Sequence, residues 1–177
     1  MAQQEEEKIV QETFRWLHRH PELSYEEVET TKRVREVLQE HDVTVLDSSL
    51  QTGLVAEVGA AGSADTDRMV VALRADIDAL PVTEETGLPY ASEIPGRMHA
   101  CGHDFHTSAL LGAALLLKQK EAALPGRVKL VFQPAEEAPG GAKKVLETGL
   151  LGDVDAMFGL HVSPLFPVGT LGLRAGA

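Results

Sequence analysis

A thiol and two imidazoles crowd the stretch Cys101-Gly102-His103-Asp104-Phe105-His106, and residues of these types around a glycine read as a cradle for a transition metal. Cys101 and His103 lie two apart, so in an extended or looped backbone both side chains project to one side and can meet one ion. This mixture of soft and borderline donors suits Zn, Mn, Co or Ni better than Mg or Ca. The competing reading is a buried free cysteine beside a helix-capping histidine.

Downstream, Gln133-Pro134-Ala135-Glu136-Glu137 sets two adjacent carboxylates just past a β-branched apolar run. Side by side they repel unless a cation or a division of roles relieves them. One glutamate can ligate a metal while its neighbour takes a proton from water, whose pKa such an ion lowers to about 7. An exposed acidic turn is the alternative. Gly159-Leu160-His161 adds an imidazole at a strand-to-loop junction, where a lone histidine is more often structural. In Arg74-Ala75-Asp76-Ile77-Asp78-Ala79-Leu80-Pro81, Asp76 can orient a histidine ligand or steer substrate amines; the ordinary alternative is a surface pair of Arg74 with Asp76 or Asp78. His99 reads as an outer or solvent-facing group and His106 as part of the first turn of a buried helix. Pro89 to Arg97 reads as an ordered loop over the site.

These residues need elements to position them. Ile9, Val10, Phe14 and Leu17 share a stripe that predicts a helix over 6–19, stopped by Pro21. Ser24 followed by Glu27 forms a capping-box pattern ahead of a second helix carrying Val28, Thr31, Val34, Val37, Leu38 and His41. Short apolar or β-branched runs at 43–46, 54–58, 69–73, 128–132 and 156–160, bounded by Gly, Pro and Asp, read as strands. Residues 105–118 are apolar on several faces and predict a buried helix; 140–146 predict another, with Gly149 near its C-cap. Residues 60–67 read as a small polar hairpin-like loop. Strands alternating with helices predict an α/β fold, a mixed or parallel sheet covered on both faces, with the motifs beyond the carboxyl ends of the strands.

At 177 residues and 44% hydrophobic, the chain can bury a sizeable core as one domain without disulfide staples. Cys101 is its only cysteine, which excludes an intrachain disulfide and favours a reducing, cytoplasmic setting. No segment approaches the roughly 18 apolar residues of a membrane span, so no membrane partner is expected. With 27 acidic against 16 basic side chains the formal charge is -11, which repels phosphate backbones and argues against nucleic acid.

Taken together, His20-Pro21-Glu22-Leu23-Ser24, the 74–81 segment, Met98-His99-Ala100-Cys101-Gly102-His103-Asp104 and Gln133-Pro134-Ala135-Glu136-Glu137 resemble peptidase family M20 in type, order and spacing. The branch most resembled is that of the amidohydrolases cleaving N-acyl amino acids, including hippurate, N-acetyl-diaminopimelate and auxin-conjugate hydrolases. The resemblance implies a three-layer αβα sandwich with a mixed, mostly parallel sheet, a zinc-exopeptidase-like catalytic domain incomplete at its C-terminal side. It implies two divalent transition-metal ions held by Cys101, His103, Glu137 and His161, with Glu136 as general base and Asp76 at a position treated as catalytic. Other branches carry His-x-Asp where this chain has Arg74-Ala75-Asp76, so Cys101 and His103 are expected to replace the first ligand. Family members continue past residue 176 into a lid and dimerisation domain and return with a further histidine ligand. Residues 1–177 are thus expected to form a single partial metallohydrolase domain without the lid or the homodimer interface.

The activity expected is hydrolysis of the amide of a small-molecule N-acyl amino acid. A truncated, inert metal-binding fragment or half of a split enzyme is the alternative. A cysteine hydrolase using Cys101 as nucleophile is a third reading, and it leaves Glu136 and Glu137 without a task.

Overall fold

Alternation of side chains along the strands decides how the sheet is covered. In the computed structural model, which describes residues 2–59 and 68–173, Leu54, Ala56 and Val58 turn to one face with Leu130, Phe132 and Ala75. Val55, Val131 and Ala72 turn to the other. The first face packs under α2 (Val28–Glu40) and α3 (His103–Gln119) through Val34, Val37, Leu38, Leu110, Leu111 and Ala114. The second is covered by Val145 of α4 (Gly141–Glu147) and by Leu150, Leu151 and Val154 after it. Each fully buried Leu, Val or Phe contributes about 1.5–3 kcal/mol relative to exposure, so both layers are needed to hold the sheet. The expected three layers are therefore present.

The five strands are β1 (Thr44–Val45), β2 (Leu54–Gly59), β3 (Val70–Asp76), β4 (Arg127–Gln133) and β5 (Ala156–Gly159), in spatial order β1-β2-β4-β3-β5. Pairings of β3 with β4 and β5 are parallel, while β1–β2 and β2–β4 are antiparallel. The sheet is mixed, as expected, and its parallel part consists of the three strands that carry the site. Asp76 stands opposite Gln133 and Arg74 opposite Gly159, so the carboxyl ends of β3, β4 and β5 reach one edge together. At the outside of the sheet, β5 leaves Met157 and Phe158 exposed. The hairpin-like loop expected at 60–67 lies outside the described residues.

The first helix, α1 (Ala2–Arg19), packs on α3, where Gly112 lets Val10 approach: a Cβ there would stand 3.2 Å from the Val10 methyl. The capping box read from Ser24 and Glu27 does not form. Ser24 donates its hydroxyl to Asp78 Oδ2 at 2.6 Å, and Glu27, at the N-cap position, makes no side-chain cap bond. The first amides of α2 are accepted by Glu22, from Glu29 N–H at 3.1 Å and Thr30 N–H at 2.8 Å. Spacing permits both arrangements; burial of Glu27 selects this one.

Between α1 and α3, His18 Nδ1 lies 2.6 Å from Asp104 Oδ2 and Nε2 3.2 Å from Glu84 Oε1, with Phe14 and Tyr90 against the ring. Two carboxylate acceptors favour the doubly protonated imidazolium. The bond to Asp104, with Glu84 in support, outweighs the opposing effect of burial and raises the His18 pKa. A raised folded-state pKa contributes stability fully below the unfolded value of about 6.5 and loses it as pH rises through the folded value. His18→Gln is therefore expected to lower Tm more at about pH 6 than at about pH 9. An equal drop at both, read by circular dichroism, would show that the ring's charge does not matter.

Candidate metal centre

Strand β3 ends in Asp76 and runs on through Ile77 to Asp78, whose side chain is 1% exposed and gathers four donors. Asp78 Oδ1 accepts the Glu136 N–H at 3.1 Å and faces His103 Nδ1 at 3.2 Å; Oδ2 accepts the Glu137 N–H at 3.0 Å and the Ser24 hydroxyl at 2.6 Å. One buried carboxylate thus ties the loop after β4 to the start of α3 and to the segment before α2. Burial alone would raise its pKa, but His103, Ser24 and the amides of Glu137 and Glu136 prevail and hold it down at about 2.

Helix α3 begins at His103 because Gly102, at φ +91, supplies the left-handed turn before it. A Cβ on Gly102 would lie 2.5 Å from a Val162 methyl, so only glycine lets the segment after β5 close over this turn. His103 is completely buried, and its Nδ1–H is given to the Asp78 carbonyl at 2.9 Å. That fixes the Nε2 lone pair as the free one, and Nε2 is buried without a hydrogen-bond partner. Asp76 Oδ2 stands 3.6 Å and Glu137 Oε1 3.8 Å from it. His161 repeats the pattern: Nδ1 is held by the Val162 carbonyl at 2.6 Å, and Nε2 faces Cys101 Sγ at 3.3 Å.

Among the described residues, three sets of donors lie within 4.8 Å of one another: Cys101, His103 and His161; His103, Glu136 and Glu137; Asp76, His103 and His106. His103 belongs to all three. The first two contain every ligand read from the sequence together with Glu136. In the third, His106 has no lone pair to spare, because Nδ1 bonds Asp76 Oδ1 at 2.6 Å and Nε2 accepts the Val162 N–H at 2.9 Å. Asp76 is engaged on both oxygens, with Arg74 Nη1 on Oδ2 at 2.7 Å. In the pair of Arg74 with Asp76 at the end of β3 the carboxylate is buried and the arginine side chain 24% exposed, so it is not a surface pair. An orphaned buried imidazole nitrogen facing a thiol, a second imidazole and two carboxylates fits a borderline-soft divalent cation.

The model of peptidase family M20/M25/M40 matches residues 72–176, a span that holds every one of these donors. The chain belongs to this family. A Bacillus subtilis N-acetylcysteine deacetylase is 53% identical over 161 residues, covering 90% of this chain and 41% of that protein. An Arabidopsis thaliana IAA-amino acid hydrolase, ILR1-like 5, is 52% identical over 162 residues, 92% of this chain and 36% of its own length. The solved structure of B. subtilis YXEP, described as a dinuclear metal binding peptidase from the M20 family, superposes with a TM-score of 0.91 at 49% identity. It matches 97% of this chain and 47% of its own. The chain thus spans less than half the length of these relatives.

The electrostatics of this M20 site call for positive charge. Burial and the carboxylates of Glu137, Asp76 and Glu136 push the Cys101 thiol up to about 11. Burial opposes a charge on His103, yet Asp78, Asp76 and Glu137 outweigh it and raise its pKa. Carboxylates contribute to both shifts and put negative charge at the point where the free donors meet, which a divalent cation bound there would offset. His99 stands apart: burial lowers its pKa to about 4, and neither ring nitrogen has a partner. The 89–97 loop packs on the end of α1, with the Glu93 N–H on the Arg19 carbonyl at 2.8 Å and Tyr90 against Phe14. Asp78 is the residue of this site that sequence reasoning passed over. The available signal was its period-two spacing from Asp76, which turns both to one side of an extended chain.

Proposed function

We propose that the protein is a metal-dependent amidohydrolase that releases a free amino acid and a carboxylate from an N-acyl amino acid. The observation that carries this reading is the buried, unpartnered Nε2 of His103, ringed by Cys101, His161, Glu136 and Glu137. The deacetylase and auxin-conjugate hydrolase names of the relatives support the substrate class. Cys101, His103, Glu137 and His161 would hold a two-metal centre of Zn, Mn, Co or Ni. Bound there, the ions supply Lewis acidity toward water and the amide carbonyl.

The side chains do the rest. Glu136, exposed and next to a ligand, takes the proton of the attacking water and hands it to the departing amine. Asp78 fixes the His103 tautomer and holds the amides of both glutamates. Asp76, locked between Arg74 and His106, acts as a positioning group. His106 steadies the His161 segment through the Val162 amide. A Cys101 nucleophile is disfavoured, since burial and the surrounding carboxylates keep the thiol protonated.

Hydrolysis of N-acetyl and indole-acetyl amino acids with added Mn or Zn, before and after chelation, tests the reading. Chelation is expected to remove turnover and metal to restore it. Turnover that survives chelation and is lost on thiol alkylation would replace the metal mechanism with a cysteine one. The chain's span of 41% and 36% of its relatives favours a second reading, a metal-binding part that is inert by itself. Tight metal binding with background hydrolysis marks that case.

A further inference from the structure

Glu27 is 0% exposed at the entrance to α2, yet its Oε1 accepts the N–H of Ala135, 108 residues later, at 2.7 Å. Ala135 is one of only three non-glycine residues with positive φ among those described, at +49. Beyond it, the amides of Glu136 and Glu137 go to the two oxygens of Asp78. Three successive amides are thus each received by a buried carboxylate.

Neighbouring side chains on an extended strand point to opposite sides. Glu136 and Glu137 nonetheless both bring an oxygen within 4.8 Å of a His103 nitrogen. The left-handed turn at Ala135, just before them, is the local break from extended geometry. It is squeezed from two other directions. A Cβ on Gly141 would lie 2.0 Å from the Pro134 carbonyl oxygen, and one on Gly53 2.5 Å from Pro134 Cδ. Glu27 closes the remaining side with the one bond that reaches the turn's own amide.

We propose that Glu27 is a positioning residue for Glu136, holding the Ala135 turn so that the general-base carboxylate faces the metal centre. The inference rests on the amidohydrolase reading and adds a residue from outside the matched family segment, 72–176.

Glu27→Leu removes the acceptor, while Glu27→Gln keeps a carbonyl oxygen at the same reach. Glu27→Leu is expected to lower kcat about 10–100-fold with KM within about twofold and metal content unchanged, because a small misplacement of a catalytic group has effects of this size. Glu27→Gln should stay within about threefold. Hydrogen exchange, read without metal or substrate, should speed up at the amides of Ala135 to Glu137 and stay unchanged in α3. In a Glu136→Gln background, Glu27→Leu should cost nothing more, since its effect passes through Glu136.

Unchanged exchange at Ala135, or an equal kcat loss in both backgrounds, overturns the inference. If Glu27→Leu does not fold, Glu27→Asp draws the carboxylate back by one methylene and must show the same pattern at smaller size; wild-type exchange and kcat in that variant also overturn it. Full turnover in Glu136→Gln alone overturns the general-base reading and the inference with it. Loss in Glu136→Gln with no effect of Glu27→Leu overturns the inference only.

Discussion

Glu136→Gln is expected to lower kcat about 10³-fold while the protein stays folded and binds divalent ions as before. The change is isosteric and removes only the ability to take up a proton. The Glu136 side chain is exposed, and its backbone amide, which Asp78 holds, is untouched. A thousandfold loss corresponds to about 4 kcal/mol of transition-state stabilisation, within the range that a positioned general base supplies. Titration calorimetry with Mn or Zn separates this from ligand loss. A variant that loses metal as well as turnover would make Glu136 a ligand instead of a base.

Asp78→Asn is expected to damage both the fold and the metal centre. In the wild type each oxygen of Asp78 faces two donors, and an amide group must turn its NH2 toward one of those pairs. A donor then meets donors in a fully buried place, and each unsatisfied group costs about 1–3 kcal/mol. The carboxylate that shares the His103 Nδ1–H with the Asp78 carbonyl is lost at the same time, and loss of such partners typically weakens metal binding about 10–100-fold. The expected result is a clear fall in Tm without metal and weaker binding when metal is added back. Normal metal affinity in a destabilised variant would limit Asp78 to a structural role.

Part of the candidate donor set stood out in the sequence because its residue types are scarce and bunched, and the resemblance to family M20 supplied the rest. One cysteine two residues from a histidine and a Glu-Glu pair after a β-branched run are unusual enough to be singled out locally, whereas His161 looks like an ordinary lone histidine until the fold brings it to Cys101. The strands were legible for a similar reason: runs such as 54–58 and 128–132 are apolar enough to be buried on both sides and their ends shifted by one residue, while β3 runs three residues past the expected 73 to Asp76. Asp78 and Glu27 were not legible, because their roles arise from convergence across sequence. Asp78 serves amides 58 and 59 residues away, and Glu27 one 108 away. Local spacing favoured a capping box at Ser24 and Glu27, and tertiary burial overrode it by sending the first side chain to Asp78 and the second under the β4 loop.

The edge strand β5 has a consequence for handling the molecule. Four residues long, with Met157 and Phe158 turned outward, β5 presents backbone donors and acceptors beside a greasy surface. Such a rim templates the addition of another extended segment, so at high concentration the 177-residue chain is prone to stick to itself. A charge of -11 opposes this through mutual repulsion, and added salt weakens that protection.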